Sequence, residues 1–222
     1  MSAYDNKYFN GIEQGPYRGY DTPYKRISLN RYLNRLDAKF TIRRDERVLD
    51  IGCAYGLFLK LLEERGAKAY GMDISEHAIE RARENSAGDL VVGDADEPLP
   101  YPDSFFRLVT LFDVLEHLTS PNRTLTEIHR VIEPGGLLAL TTVNAHAASR
   151  FLKYSHWTAD KDPTHLYIFD RFSLRFLLER AGFRVLSTRT PLNSLPDWLS
   201  GLLESTGLGG QIFAMATPEK RQ

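Results

Sequence analysis

From Val48 to Thr217, short runs of apolar and β-branched residues alternate with stretches whose apolar positions recur at helical spacing. That is the pattern of an α/β sheet covered by helices on both faces. Arg47-Val48-Leu49-Asp50-Ile51 reads as the first strand, and Leu57, Phe58, Leu61 and Leu62 then mark one side of a helix that Gly66 closes. Residues 69–72 fit a second strand, and Ser75 suits the N-cap of a helix running to Asn85. The third and fourth strands fall at residues 90–92 and 107–112. A helix over residues 122–132 should stop at Pro134-Gly135-Gly136, and residues 137–143 supply the fifth strand. A helix over residues 172–181 stopped by Gly182, a strand over 183–190 and a last strand over 211–217 bring the number of strands to seven.

Two stretches stand outside this alternation. Residues 1–40 carry Tyr4, Tyr8, Tyr17, Tyr20, Tyr24 and Tyr32 ahead of and within a helix-like run over residues 27–36, which reads as a tyrosine-rich helical cap on a main domain formed by residues 41–222. Residues 191–210 form an insertion between the last two strands, with Trp198, Leu199, Leu202 and Leu203 on one side of a short helix.

Composition narrows the choice of function without naming one. A formal net charge of −1 lacks the positive excess that wholesale grip on a nucleic-acid backbone requires. Cys53, the single cysteine, excludes an internal disulfide framework and fits a reducing cytoplasm. No apolar run has the length of a signal peptide or a membrane span, so a cytoplasmic protein is expected.

The chemistry is concentrated where strands end. In Val48-Leu49-Asp50-Ile51-Gly52-Cys53-Ala54-Tyr55-Gly56 a strand turns through glycines into a helix, so backbone can approach a ligand without Cβ obstruction. A nicotinamide cofactor would also use such a turn, to hold a pyrophosphate. Asp50, two residues before Gly52, would face that anion unfavourably. S-adenosylmethionine carries a sulfonium and an ammonium, and suits the acid better. Asp73 follows the second strand, about twenty residues past the turn, where a carboxylate can accept ribose hydroxyls. Asp94 follows the third strand. Strand ends on one edge of such a sheet converge on one cleft, so the three acids should line one pocket.

Asp50-Ile51-Gly52-Cys53-Ala54-Tyr55-Gly56, Met72-Asp73-Ile74-Ser75, Gly93-Asp94-Ala95, Phe112-Asp113-Val114-Leu115-Glu116-His117 and Pro134-Gly135-Gly136 follow one another in the order found in class I S-adenosylmethionine-dependent methyltransferases. The chain resembles that family, of small-molecule methyltransferase type, over residues 47–185. The resemblance implies a Rossmann-like, seven-stranded, mostly parallel sheet with helices on both faces and the last strand antiparallel. It implies that Asp50 and the backbone of Gly52 and Cys53 hold the methionine end of the cofactor, Asp73 the ribose, and Asp94 with Ala95 the adenine, that Phe112 and Asp113 line its other side, and that Ile51, Ala54, Gly56, Ile74 and His117 also belong to the cofactor site. Ala54 stands where the family usually has glycine.

On the acceptor side, Asp162-Pro163-Thr164-His165-Leu166-Tyr167 resembles a stretch of small-molecule methyltransferases whose histidine approaches the acceptor. His165 is the candidate general base, needed when an alcohol, phenol or ammonium must lose its proton; it could equally anchor the loop. Asp113, Glu116, His117 and His165 also resemble the ligands of metal-dependent methyltransferases, though the Asp-x-x-Glu-His unit occurs in relatives without metal, and no metal is expected here. The expected activity is methyl transfer to oxygen or nitrogen of a small metabolite such as a sugar, a quinone precursor or a secondary metabolite. The alternatives are an RNA-end or tRNA methyltransferase and a non-catalytic S-adenosylmethionine-binding regulatory subunit.

Overall fold

A computed structural model describes residues 21–152, 162–192, 200–201 and 204–219. Tyr4, Tyr8, Tyr17, Tyr20, His156, Trp198, Leu199, Leu202 and Leu203 lie outside them, as does the side chain of Tyr24.

Seven strands form one sheet in the order β3-β2-β1-β4-β5-β7-β6. In chain order the described elements are α1 (Pro23–Asp37), β1 (Arg47–Ile51), α2 (Leu57–Glu63), β2 (Lys68–Asp73), α3 (Glu76–Asn85), β3 (Asp89–Val92) and β4 (Phe106–Phe112). A 3-10 turn at Leu115–His117, α4 (Pro121–Val131), β5 (Ile132–Val143), α5 (Ala148–Leu152), α6 (Arg171–Arg180), β6 (Phe183–Arg189) and β7 (Gln211–Pro218) complete them. Strands β1 to β5 pair in parallel, and β7 runs antiparallel between β5 and β6, so the expected sheet and its reversed last strand are observed. The strand order reverses between β1 and β4, which makes the carboxyl ends of these two strands the crevice where ligands bind in such sheets.

Strand periodicity decides what faces that crevice. Leu49, Ile51, Val109 and Leu111 point to the side covered by Leu125, Ile128 and Val131 of α4 and Leu174 and Leu178 of α6. Val48 and Leu108 point to the other side, under Leu29, Tyr32, Leu33 and Leu36 of α1 and Leu57, Phe58, Leu59 and Leu62 of α2. Because successive side chains alternate, Asp50 and Thr110 share the α1 side, and Ile51 is committed to the opposite core.

Two boundaries differ from the sequence reading by four residues or more. Helix α1 begins at Pro23, four residues before the expected start, because Thr22 caps it by accepting from the Lys25 amide at 3.2 Å and Pro23 fits the first turn. At the other difference, α4 passes directly into β5, and Pro134-Gly135-Gly136 lies inside the strand. Ile132 pairs with Phe106 before the register shifts to Leu108 opposite Leu137. The glycines make this bulge possible: Gly135 has φ of 79°, and a Cβ on Gly136 would sit 2.9 Å from the Arg107 carbonyl oxygen.

Candidate active site

The loop from β1 to α2 is built on left-handed backbone. Gly52, Ala54 and Gly56 have φ of 73°, 46° and 70°. The amides of Gly52 and Cys53 both donate to the Met72 carbonyl, at 2.7 and 3.1 Å, which ties the turn to the end of β2. A Cβ on Gly52 would fall 2.2 Å from Val114 Cγ2, so only glycine fits. Ala54 adopts a left-handed conformation that glycine would adopt freely, at a cost of about 1–2 kcal/mol. It keeps the turn all the same, and its amide donates to Asp73 Oδ2 at 2.9 Å.

Asp50 is buried, and its Oδ1 accepts from Thr110 Oγ1 at 2.6 Å. Burial raises its pKa from 3.8 to about 7, opposed by the Thr110 bond and by the charge of Lys25 on α1, and helped by Asp73. Such a carboxyl is poorly solvated as an anion and gains most from a cation brought beside it. It lines a hollow with Gly52, Cys53, Phe112, Leu57, Phe58 and Leu29. Four expected cofactor residues, Asp50, Gly52, Cys53 and Phe112, therefore meet there, and α1 supplies the roof. Cys53 is buried, which pushes its thiol pKa well up and leaves it neutral packing material rather than a nucleophile.

Asp73 is buried at the end of β2. Its Oδ1 accepts from the Ser75 amide and its Oδ2 from the Ala54 amide, both at 2.9 Å. Burial raises its pKa and these two bonds pull it back, so besides any ligand Asp73 fastens the glycine-rich turn to the start of α3. Ile74 beside it is exposed, an apolar surface at the strand-end edge. Asp94 is exposed and closes a tight turn by accepting from the Asp96 amide at 2.9 Å. Ala95 is buried, and its carbonyl accepts from Thr124 Oγ1 at 2.8 Å. Among these residues only Asp50 and the turn border the hollow; Asp73, Ile74, Asp94 and Ala95 continue the same edge along β2 and β3.

Past β4, Asp113 has φ of 57°, a left-handed conformation that aspartate tolerates better than most residues. Its Oδ1 accepts from Thr141 Oγ1 at 2.7 Å and from Gln211 Nε2, and its Oδ2 faces Lys25 Nζ at 3.3 Å. Gln211 in turn accepts from Tyr32 Oη at 2.6 Å. Helix α1 is thus joined to the site by polar contacts as well as by packing. Lys25, Leu29, Thr110, Thr141 and Gln211 were not visible as site residues in the sequence. They meet their partners across separations of 28 to 98 residues where hydrogen bonds are involved, and no local motif marks them.

The remaining candidates form a second, deeper cluster. Glu116 is buried, accepts from Thr142 Oγ1 at 2.8 Å, and has its pKa pushed up to about 8 by burial and then by the charge of Asp113. His117 Nδ1 lies 2.9 Å from Thr164 Oγ1 and 3.1 Å from the Thr164 carbonyl, and its pKa is lowered by burial and by His165. The His117 and His165 rings are 4.7 Å apart. His165 Nε2 is 3.8 Å from Asp162 Oδ2, a buried oxygen without a hydrogen-bond partner among the described residues. The amides of Leu166 and Tyr167 donate to the Glu116 carbonyl at 2.8 and 3.1 Å, which seats the His165 loop on the strand-end edge. The His165 side chain is 3% exposed. One ligand atom each from Glu116, His117 and His165 lie within 4.8 Å of one another, a carboxylate and two imidazoles that suit a divalent cation. Asp113 is not in that group.

Residues 23–188 match a protein family described as a methyltransferase domain. Over 112 residues the chain is 32% identical to a ubiquinone biosynthesis O-methyltransferase of Dechloromonas aromatica, a match covering 47% of each protein. The chain thus spans about half the length of such curated relatives. A malonyl-[acyl-carrier protein] O-methyltransferase of Enterobacter lignolyticus is 29% identical over 182 residues, 81% of this chain and 70% of that one. The crystal structure of a SAM-dependent methyltransferase from Archaeoglobus fulgidus superposes with a TM-score of 0.66 and 24% identity, covering 86% of this chain and 94% of that one.

Proposed function

This chain belongs to the methyltransferase-domain family, and we propose that it is an enzyme moving the methyl group of S-adenosylmethionine to an oxygen or nitrogen of a small metabolite. The observation that carries this reading is Asp50, a buried carboxyl with a raised pKa in a hollow floored by the Gly52–Cys53 turn. A cationic ligand relieves that carboxyl; a pyrophosphate would worsen it. Methyl transfer from a sulfonium is an in-line displacement, so the protein's work is alignment and exclusion of water. Phe112, Leu29, Leu57 and Phe58 give the hollow an apolar wall for that purpose. The acceptor enters from the side of the His165 loop, where His165, backed by the Asp162 carboxylate, takes the proton of a hydroxyl or ammonium acceptor. The two relatives, a ubiquinone biosynthesis O-methyltransferase and a malonyl-[acyl-carrier protein] O-methyltransferase, support an oxygen acceptor.

Calorimetry tests the cofactor. S-adenosylmethionine should bind and NAD should not, and Asp73→Asn should weaken binding by about 1.5–3 kcal/mol. Asparagine keeps an acceptor for only one of the Ala54 and Ser75 amides, so the variant's melting temperature is measured alongside, to separate loosening of the turn from loss of the ligand contact. Unchanged affinity in the variant, or tight NAD binding by the parent, contradicts the reading.

A second reading of the acceptor side is favoured by the grouping of Glu116, His117 and His165. With the unpartnered Asp162 oxygen beside them, these residues would hold a divalent cation, which when bound would draw in acceptor oxygens and ease loss of a hydroxyl proton. The two readings part on one measurement once an acceptor is in hand. With His165 as the base, His165→Ala lowers turnover by about 10²–10⁴ and chelation changes nothing. Turnover that a chelator abolishes and Mn²⁺ restores selects the metal.

A further inference from the structure

A neutral imidazole carries one N–H, and the nitrogen that bears it cannot also take a proton or a cation. His117 closes the 3-10 turn after β4, where its amide donates to the Val114 carbonyl at 2.9 Å, and its ring is half-buried. Two oxygens of Thr164, on the loop that the Leu166 and Tyr167 amides seat on Glu116, face the Nδ1 atom of that ring. The Thr164 hydroxyl lies at 2.9 Å and the Thr164 carbonyl at 3.1 Å.

A carbonyl oxygen only accepts. The hydroxyl could donate, but its single proton is already committed, because Thr164 Oγ1 donates to Asp162 Oδ1 and keeps only lone pairs for Nδ1. Asp162 Oδ1 also accepts from the Thr164 amide at 2.9 Å, and Asp162 is buried. A hydroxyl turned towards His117 would therefore leave a buried carboxylate short of a donor. Both oxygens in front of Nδ1 accept, and only an Nδ1–H can meet them. The Nε2–H form would set the Nδ1 lone pair against two oxygens and should be disfavoured at least about tenfold.

We propose that Asp162 and Thr164 are positioning residues that hold His117 in its Nδ1–H form and so make Nε2 the nitrogen of that ring able to take a proton or a cation on the acceptor side. Histidines that do such work are characteristically fixed in this way, through the N–H of the other ring nitrogen. Glu116 and His165 each bring an atom within 4.8 Å of a His117 nitrogen, and the two histidine rings are 4.7 Å apart. The tautomer of His117 thus sets what the cluster offers an acceptor. The inference rests on the reading that this cluster is the acceptor side, and it names the same atom under both versions of that reading, a second proton acceptor beside His165 or a ligand of the cation.

Nuclear magnetic resonance of the nitrogen-labelled full chain, without cofactor or added metal, tests it. Near pH 8 the ring is neutral, since burial and His165 lower its pKa, and long-range proton–nitrogen correlations report which nitrogen carries the hydrogen. The His117 signals are those missing from His117→Gln or, should that variant not fold, those whose ring protons contact the Thr164 methyl group. The parent should show the Nδ1–H form at a ratio of at least about ten to one. Thr164→Ser should keep it, whereas Thr164→Val, which leaves only the carbonyl as acceptor, should move the ratio towards Nε2–H by at least about threefold. A Thr164 that merely props the loop would change the melting temperature and leave the ratio alone. An even mixture or a dominant Nε2–H form in the parent overturns the proposal, as does a ratio in Thr164→Val equal to the parent's. A parent that binds S-adenosylmethionine but has the wrong tautomer fails this inference alone; one that does not bind S-adenosylmethionine fails the functional reading itself.

Discussion

Two positions in one turn show how differently a left-handed residue can be held. Gly52 has no room for a Cβ, with Val114 Cγ2 at 2.2 Å from the place it would occupy, so Gly52→Ala combines a clash with backbone strain and should cost about 2–4 kcal/mol. Ala54 already bears the strain at φ of 46°. Ala54→Gly removes it but frees the unfolded chain, so stability should rise by no more than about 1 kcal/mol. Urea unfolding of the two variants checks both signs. A neutral Gly52→Ala would mean that Val114 moves aside freely and that the turn is not closed by its neighbours.

Helix α1 is the element that converts a sheet edge into a covered site. Its Tyr32 ring lies 5.0 Å from Phe112 and 5.7 Å from Phe213, and its hydroxyl donates to Gln211, which in turn bonds Asp113. Packing and hydrogen bonding can be separated here. Tyr32→Phe keeps the ring and should cost about 1 kcal/mol, whereas Tyr32→Ala opens a cavity beneath the helix and should cost about 3–5 kcal/mol. Both should weaken S-adenosylmethionine binding by loosening the roof over Asp50, the alanine variant more. Calorimetry below the melting temperature measures this, and undiminished affinity in Tyr32→Ala would show that α1 does not shape the cofactor hollow.

At the scale of the whole molecule the buried acids set the response to pH. Asp50 and Glu116 have folded pKa values raised to about 7 and about 8 from 3.8 and 4.5. The folded chain therefore retains protons that the unfolded chain has released. The stability they contribute is fully present below the unfolded values and is lost as pH rises through the folded ones. The lowered carboxyls of Asp21, Glu127 and Asp170 are little buried and act at the acid end, and His117, lowered from 6.5, acts with the opposite sign but only up to that unfolded value. The cofactor-free protein should consequently have a higher urea midpoint near pH 6 than near pH 8, and S-adenosylmethionine should narrow the gap because a cation beside Asp50 favours its ionised form. A midpoint that rises over this interval would show that neither acid is held as the structure has it.

The sequence by itself determined what short-range patterning encodes. Alternating apolar runs located the seven strands, Ser75 and the glycines marked helix starts and strand exits, and Asp50, Gly52, Asp73 and Asp94 stood out because strand-end turns need those residue types at those spacings, while Asp113 came only with the family resemblance. The start of α1 and the glycines inside β5 depart from the expected bounds for opposite reasons: Thr22-Pro23 is a local helix-start signal, whereas the bulge at Pro134-Gly135-Gly136 exists only because β4 offers Phe106 and Leu108 as partners. Tertiary structure alone decided that Lys25 meets Asp113, that Thr110 holds Asp50, that His165 stands against His117, and that Phe172 and Phe176 are left outside. These contacts join residues whose side chains have no helical or strand period in common, and the free energy that selects them comes from burying two separate cores on either face of the sheet, which no stretch of sequence contains by itself.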